Sequence, residues 1–124
     1  MHRLRVLVVD DYEEMRSIMR ETLRIIGIPH VDVARDGHDA LFKLQLNSYD
    51  FVISDLNMPN LCGIGLLKAI RADAGLCNLP VLMLTAENGR DRVVEAVQSG
   101  VNGYIVKPFS ANTLKQKLKE MSLI

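Results

Sequence analysis

Five side chains that could do chemistry stand at the ends of short apolar runs. Asp10 and Asp11 follow Val6–Val9, Asp55 follows Phe51–Ser54, Thr85 ends the run from Val81, and Lys107 closes the run from Tyr104. Adjacent carboxylates at the edge of a core are costly. Like charges ~4 Å apart repel by roughly 4 kcal/mol at an effective dielectric near 20, and burial disfavours each charged form further. Three ionised carboxylates and one ammonium sum to −3 + 1 = −2, which one divalent cation cancels. Ligands that are all oxygen select a hard ion, and an incomplete cage with room for water and phosphate suits Mg²⁺. Beside such an ion Asp55 becomes an apt nucleophile, because a carboxylate can accept a phosphoryl group as an aspartyl-phosphate. The ion and Lys107 would neutralise the phosphoryl oxygens, and the Thr85 hydroxyl could hydrogen-bond the group once attached.

Taken singly, each residue has a plainer reading. "DYEE" fits a capping box, with Asp11 as N-cap and Glu14 three residues on. Asp55 before "LNMP" suits a strand-end turn, Thr85 suits a strand, and a lone lysine is usually solvated. Tyr104 fits a core aromatic with a wet hydroxyl. Glu87 and Asn88 fit a helix start. Only the constellation points to metal and phosphoryl chemistry.

The elements that would bring these residues together follow from hydrophobic periodicity. Strands are expected at 5–10, 30–34, 51–54, 80–85 and 103–107. Between and after them, apolar residues recur at helical steps. Met15, Ile18, Met19, Thr22, Leu23 and Ile26 form one stripe, closed by Gly27. Ala40, Leu41 and Leu44 face inward from a helix over 37–47, and a looser helix covers 64–72. Val93, Val94 and Val97 mark a helix ending at Gly100. Ala111, Leu114, Leu118 and Met121 stripe the last one, with Ser110 as its N-cap. Five strand–helix units with continuously apolar strands predict a parallel sheet covered on both faces. The expected class is α/β: a doubly wound (βα)5 flavodoxin-like fold with strand order 2-1-3-4-5. Sites in such folds lie beyond the carboxyl ends of the strands, which is where the five side chains stand.

Composition narrows the function. The chain has 124 residues, enough for one domain with its own core. Lys plus Arg and Asp plus Glu are both 15, so no basic excess suggests nucleic acid. No apolar run is long enough to span a membrane. Cys62, Cys77 and the scattered histidines make no zinc pattern. A cytoplasmic monomer with reduced thiols is expected, as a single domain over 1–124.

"VVDD", "DLNMPNLCG", "LTAE" and "VKPF", each at the end of a different strand, resemble the receiver domain of two-component response regulators. The likeness spans about residues 4–121 and is nearest to the stand-alone chemotaxis messengers. It implies that Asp55 accepts phosphate from a histidine kinase, and that Asp10, Asp11, Asp55 and the backbone carbonyl of Asn57 hold Mg²⁺. It implies a switch pair in Thr85 and Tyr104, and a Lys107 that pairs with the acyl phosphate before a cis peptide to Pro108. Asn57 and Glu87 would tune dephosphorylation. Arg90, Val93, Tyr104, Val106 and Lys117 would form the docking face, with a flagellar motor switch protein as target and a phosphatase as a further partner. Cys62 departs from the polar residue usual before Gly63, and Leu56 from the Trp of the enteric proteins; Gly65 and Gly89 weaken two helix starts. On this reading the protein is a signalling receiver rather than an enzyme. Alternatives are a phosphorelay intermediate, a phosphate sink, and an Mg²⁺-dependent aspartyl-phosphate phosphohydrolase. The last is disfavoured because its nucleophile motif should follow the first strand. A flavin binder is disfavoured by the acid where its phosphate loop should lie.

Overall fold

A computed structural model describes residues 3–58, 61–85 and 90–124, the side chain of Arg90 excepted. The elements alternate without exception: β1 (Arg5–Val9), α1 (Glu13–Ile26), β2 (His30–Ala34), α2 (Gly37–Leu46), β3 (Phe51–Asp55), α3 (Gly63–Ala72), β4 (Val81–Thr85), α4 (Arg90–Gln98), β5 (Gly103–Val106) and α5 (Ala111–Glu120). All four strand pairings are parallel and the order is β2-β1-β3-β4-β5. The expected fold class and order are therefore observed.

Period-two alternation sends strand side chains to opposite faces, and each face has its own core. Leu7, Val9, Val52, Val81 and Met83 meet Ala40, Leu44, Ile64, Leu67, Ile70 and Ala96, the residues of α2, α3 and α4. Val6, Val8, Phe51, Ile53, Leu82 and Leu84 meet Met19, Leu23, Leu114 and Leu118 of α1 and α5. Both faces are covered by helices, which is why β3 and β4 are buried at every residue.

Helix ends follow local chemistry. Gly27 closes α1 at φ 110°, a conformation only glycine adopts without strain. The Asp36 carboxylate accepts the Asp39 N–H at 2.8 Å, and Ser110 Oγ accepts the Thr113 N–H at 3.1 Å. The capping box expected at α1 does not form. Tyr12, not Asp11, holds the N-cap position and makes no side-chain cap. Asp10 Oδ1 accepts the Tyr12 N–H at 3.0 Å instead, an Asx-type turn that starts the helix one residue later and leaves the Asp11 carboxylate for other use. Two apolar readings also shift. Ile18 is 56 % exposed, because the buried arc of α1 centres on Met19 and Leu23. In α4, Ala96 is buried while Val94 and Val97 are exposed.

Candidate functional site

The carboxyl ends of β1, β3, β4 and β5 share one rim because the strands are parallel and adjacent. Asp10 follows β1, whose end is fixed by the Asp10 N–H donating to Ala34 O at 3.0 Å. Asp55 ends β3 in register with Leu84, and the next amide, Leu56 N, donates to Leu84 O at 2.9 Å. Thr85 ends β4 opposite Val106, and its carbonyl accepts the Lys107 N–H at 2.8 Å. That bond places the root of the Lys107 side chain.

These residues converge as expected. Carboxylate oxygens of Asp10, Asp11 and Asp55 lie within 4.8 Å of one another. Lys107 Nζ stands 3.3 Å from Asp55 Oδ1 and 3.9 Å from Asp10 Oδ2. Asp10, Asp55 and Thr85 are buried, while the Lys107 side chain remains 26 % exposed. Burial pushes the Asp10 carboxyl up from the usual carboxylate range; the Tyr12 amide and Lys107 oppose that rise, and Asp55 and Asp11 add to it. The Lys107–Pro108 peptide is cis, as expected.

One carboxylate atom is left over. Asp11 Oδ1 is buried and has no hydrogen-bond partner among the described residues. A buried anionic oxygen without a donor is unfavourable, and the Asp11 carboxylate shares this site with two others. One lysine does not cancel three negative charges, so the cluster fits a hard divalent cation. Asp10, Asp11 and Asp55 are the side chains that could hold it; Asn57, exposed, follows two residues after Asp55.

Other expected residues lie apart from this cluster. Tyr104 and Val106 are 42 % and 41 % exposed on β5, flanking the buried Ile105. Val93 is half-buried on α4. Lys117 on α5 pairs with Glu120 at 3.1 Å. Glu87 lies outside the described residues, as do the Arg90 side chain and Gly89. Arg16 escaped the sequence reading: its Nη1 donates to Asp10 O at 2.8 Å. Its one visible signal was a cation on the first turns of a helix that begins at an acidic pair.

A family model for the response regulator receiver domain matches residues 6–119. The chain belongs to that family. Receiver relatives include the chemotaxis protein CheY of Pseudomonas aeruginosa, 48% identical over 118 residues and 95% of each chain. CheY-3 of Vibrio cholerae is 52% identical over 118 residues, covering 95% of this chain and 91% of that one. Among solved structures, the chemotaxis response regulator CheY4 of Vibrio cholerae superposes with a TM-score of 0.88 at 37% identity, covering 97% of this chain and 99% of that one. The likeness to CheY-type receivers thus holds in sequence and in fold. No described helix is long and apolar enough to cross a membrane.

Proposed function

We propose that this receiver is a phosphorylation-activated messenger of a two-component chemotaxis system. The observation that carries this reading is the meeting of Asp55 with Lys107 at 3.3 Å beside two further carboxylates, one with a buried, unpartnered oxygen. Asp55 acts as nucleophile: a carboxylate oxygen forms the new O–P bond while the N–P bond of a histidine kinase's phosphohistidine breaks. Asp10, Asp11, Asp55 and the Asn57 carbonyl would hold Mg²⁺, which would supply positive charge against the phosphoryl oxygens. Lys107 pairs with a phosphoryl oxygen and exchanges its contact with Asp55 for that one. Burial of Asp55 keeps bulk water from competing. The Thr85 hydroxyl donates to the attached group.

Readout follows from β5. Thr85 and Val106 are register partners, and Tyr104 lies two residues before Val106 on the same face. Movement of Thr85 toward the phosphoryl group is passed to that exposed edge. Arg90, Val93, Tyr104, Val106 and Lys117 form the docking face, and Asn57 and Glu87 set how fast water removes the phosphate. The receiver acts by binding, as a signalling domain with intrinsic phosphorylation and dephosphorylation chemistry. A flagellar motor switch protein is the favoured target, because the relatives are named as chemotaxis proteins.

Acyl-phosphate labelling of wild type and Asp55→Asn, followed by a pull-down with a motor-switch peptide, tests this. Label confined to wild type and phosphate-dependent capture are expected. Label that persists in Asp55→Asn overturns the acceptor. Transfer to a histidine carrier without peptide capture replaces the messenger with a relay intermediate.

A further inference from the structure

Leu61 precedes α3 and touches the first turns of both α2 and α3. The Leu61 carbonyl accepts the N–H of Gly37, the first residue of α2, at 3.2 Å. A Cβ added at Gly37 would stand 2.6 Å from that oxygen, and one added at Gly65 would stand 2.6 Å from Leu61 Cδ1. Carbon contacts are comfortable only at ~3.5–4.0 Å, so Leu61 fills space left by two missing side chains. Its apolar body packs on the core beside α2 and α3. Gly65, expected to weaken the start of α3, is also one wall of this seat.

The contact continues to the acceptor. Gly63 N donates to Leu56 O at 3.1 Å, and a Cβ at Gly63 would stand 2.4 Å from Asp55 O and 2.9 Å from Leu56 Cα. The main chain at 63 therefore rests directly on that of Asp55 and Leu56, with no slack between them. Leu56 is fully buried, so it cannot yield outward. A displacement at Leu61 reaches Gly63 two residues on, and through it the carbonyl of Asp55.

We infer that Leu61 is a positioning residue for the phosphoacceptor: seated between Gly37 and Gly65, it presses Gly63 against the Asp55 carbonyl and so aims the Asp55 carboxylate. This rests on Asp55 being the acceptor.

The test is a double-substitution cycle between Gly65→Ala and Leu61→Ala. The methyl of Gly65→Ala meets the far end of Leu61, which can swing aside, and alanine favours the helix. The variant should fold, with a thermal midpoint at or above that of wild type. Its rate constant for labelling by acetyl phosphate at saturating Mg²⁺ should fall about ten-fold, since misplacement near 1 Å is that costly or more. Amide exchange at Gly63, measured by NMR without metal, should accelerate. In the Leu61→Ala background, Gly65→Ala should change neither quantity, because no Cδ1 remains to be displaced. Wild-type values in Gly65→Ala, or equal changes in both backgrounds, overturn the inference. If wild type itself takes no label on Asp55, the proposed function fails and the inference falls with it, whereas labelled wild type with an unaltered Gly65→Ala overturns the inference alone.

Discussion

Lys107 and Asp55 come from strands separated by β4, yet their charged atoms stand 3.3 Å apart. In the metal-free protein this ammonium partly offsets the carboxylates of Asp55 and Asp10. Lys107→Met should lower stability in chelator by about 1–2 kcal/mol, between the values for exposed and buried pairs because the lysine is partly solvated. Urea unfolding measures this. Mg²⁺ should then raise the midpoint of the variant more than that of wild type, since the ion replaces the lost cancellation. Labelling of Asp55 should fall about a hundred-fold, the scale for losing one charge-stabilising group.

Asp11→Asn tests the opposite sign. Its Oδ1 is buried without a partner, and Asp11 caps no helix. Removing its charge should stabilise the metal-free protein by about 1 kcal/mol, a solvent-discounted share of the like-charge repulsion. The same change should abolish the Mg²⁺-induced shift in thermal midpoint. A destabilised variant that keeps the full shift would contradict the assignment of Asp11.

Much of this was legible in the sequence because two periodicities sufficed. Short apolar runs, and the alternation of 30–34, marked the strands; helical stripes such as Leu114–Leu118 marked the helices, and parallel order carried Asp10, Asp55, Thr85 and Lys107 to one rim. What stayed hidden depended on partners distant in sequence. The capping reading of Asp11 failed because α1 begins one residue later, with Tyr12 at the N-cap, so Asp11 lies outside capping position. Ile18, Val94 and Val97 fit a helical period yet face outward, since periodicity fixes spacing more securely than the direction of the face. Gly65 reads as weakness until Leu61 is seen against it.

Tyr49 gives a prediction about alkaline pH. Its hydroxyl donates to Asp32 Oδ2 at 2.7 Å, with the Arg5 guanidinium 5.3 Å from its ring centroid. Burial first, then the bond to Asp32 and that carboxylate's charge, push the phenol up to about 12 from an ordinary 10.0. A folded pKa raised above the unfolded one means a stabilising contribution that is whole below the unfolded value and is lost as pH rises through the folded one. Wild type should therefore exceed Tyr49→Phe in urea midpoint at neutral pH, and the gap should close as pH climbs from 10 toward 12. In an absorbance titration Tyr49 should ionise above the ordinary tyrosine range. A gap that widens with pH would refute the linkage.

Arg71 supplies the last prediction. Its Nε and Nη2 donate to Gly100 O at 3.0 and 2.9 Å, and Nη2 also to Asn102 Oδ1 at 2.8 Å. Nη1 donates to Leu79 O at 2.7 Å and Cys77 O at 3.2 Å. All five guanidinium N–H groups are thus used, and they join the end of α3, the approach to β4 and the turn after α4. Asn102 Oδ1 also accepts the Val81 N–H at 2.8 Å, so the same oxygen ties that turn to the start of β4. Lysine retains the charge but offers its donors from one point, and it cannot span acceptors on both segments. Arg71→Lys should cost about 2 kcal/mol, the scale for losing charge-assisted hydrogen bonds whose acceptors are partly shielded. Urea unfolding gives that figure. Native-state amide exchange gives its location: protection at Gly100 and Val101, which close α4 by donating to Val97 O and Ala96 O, should fall more than protection in β1. Equal loss at both places would mean that Arg71 supports the fold as a whole rather than anchoring the C-terminal end of α4.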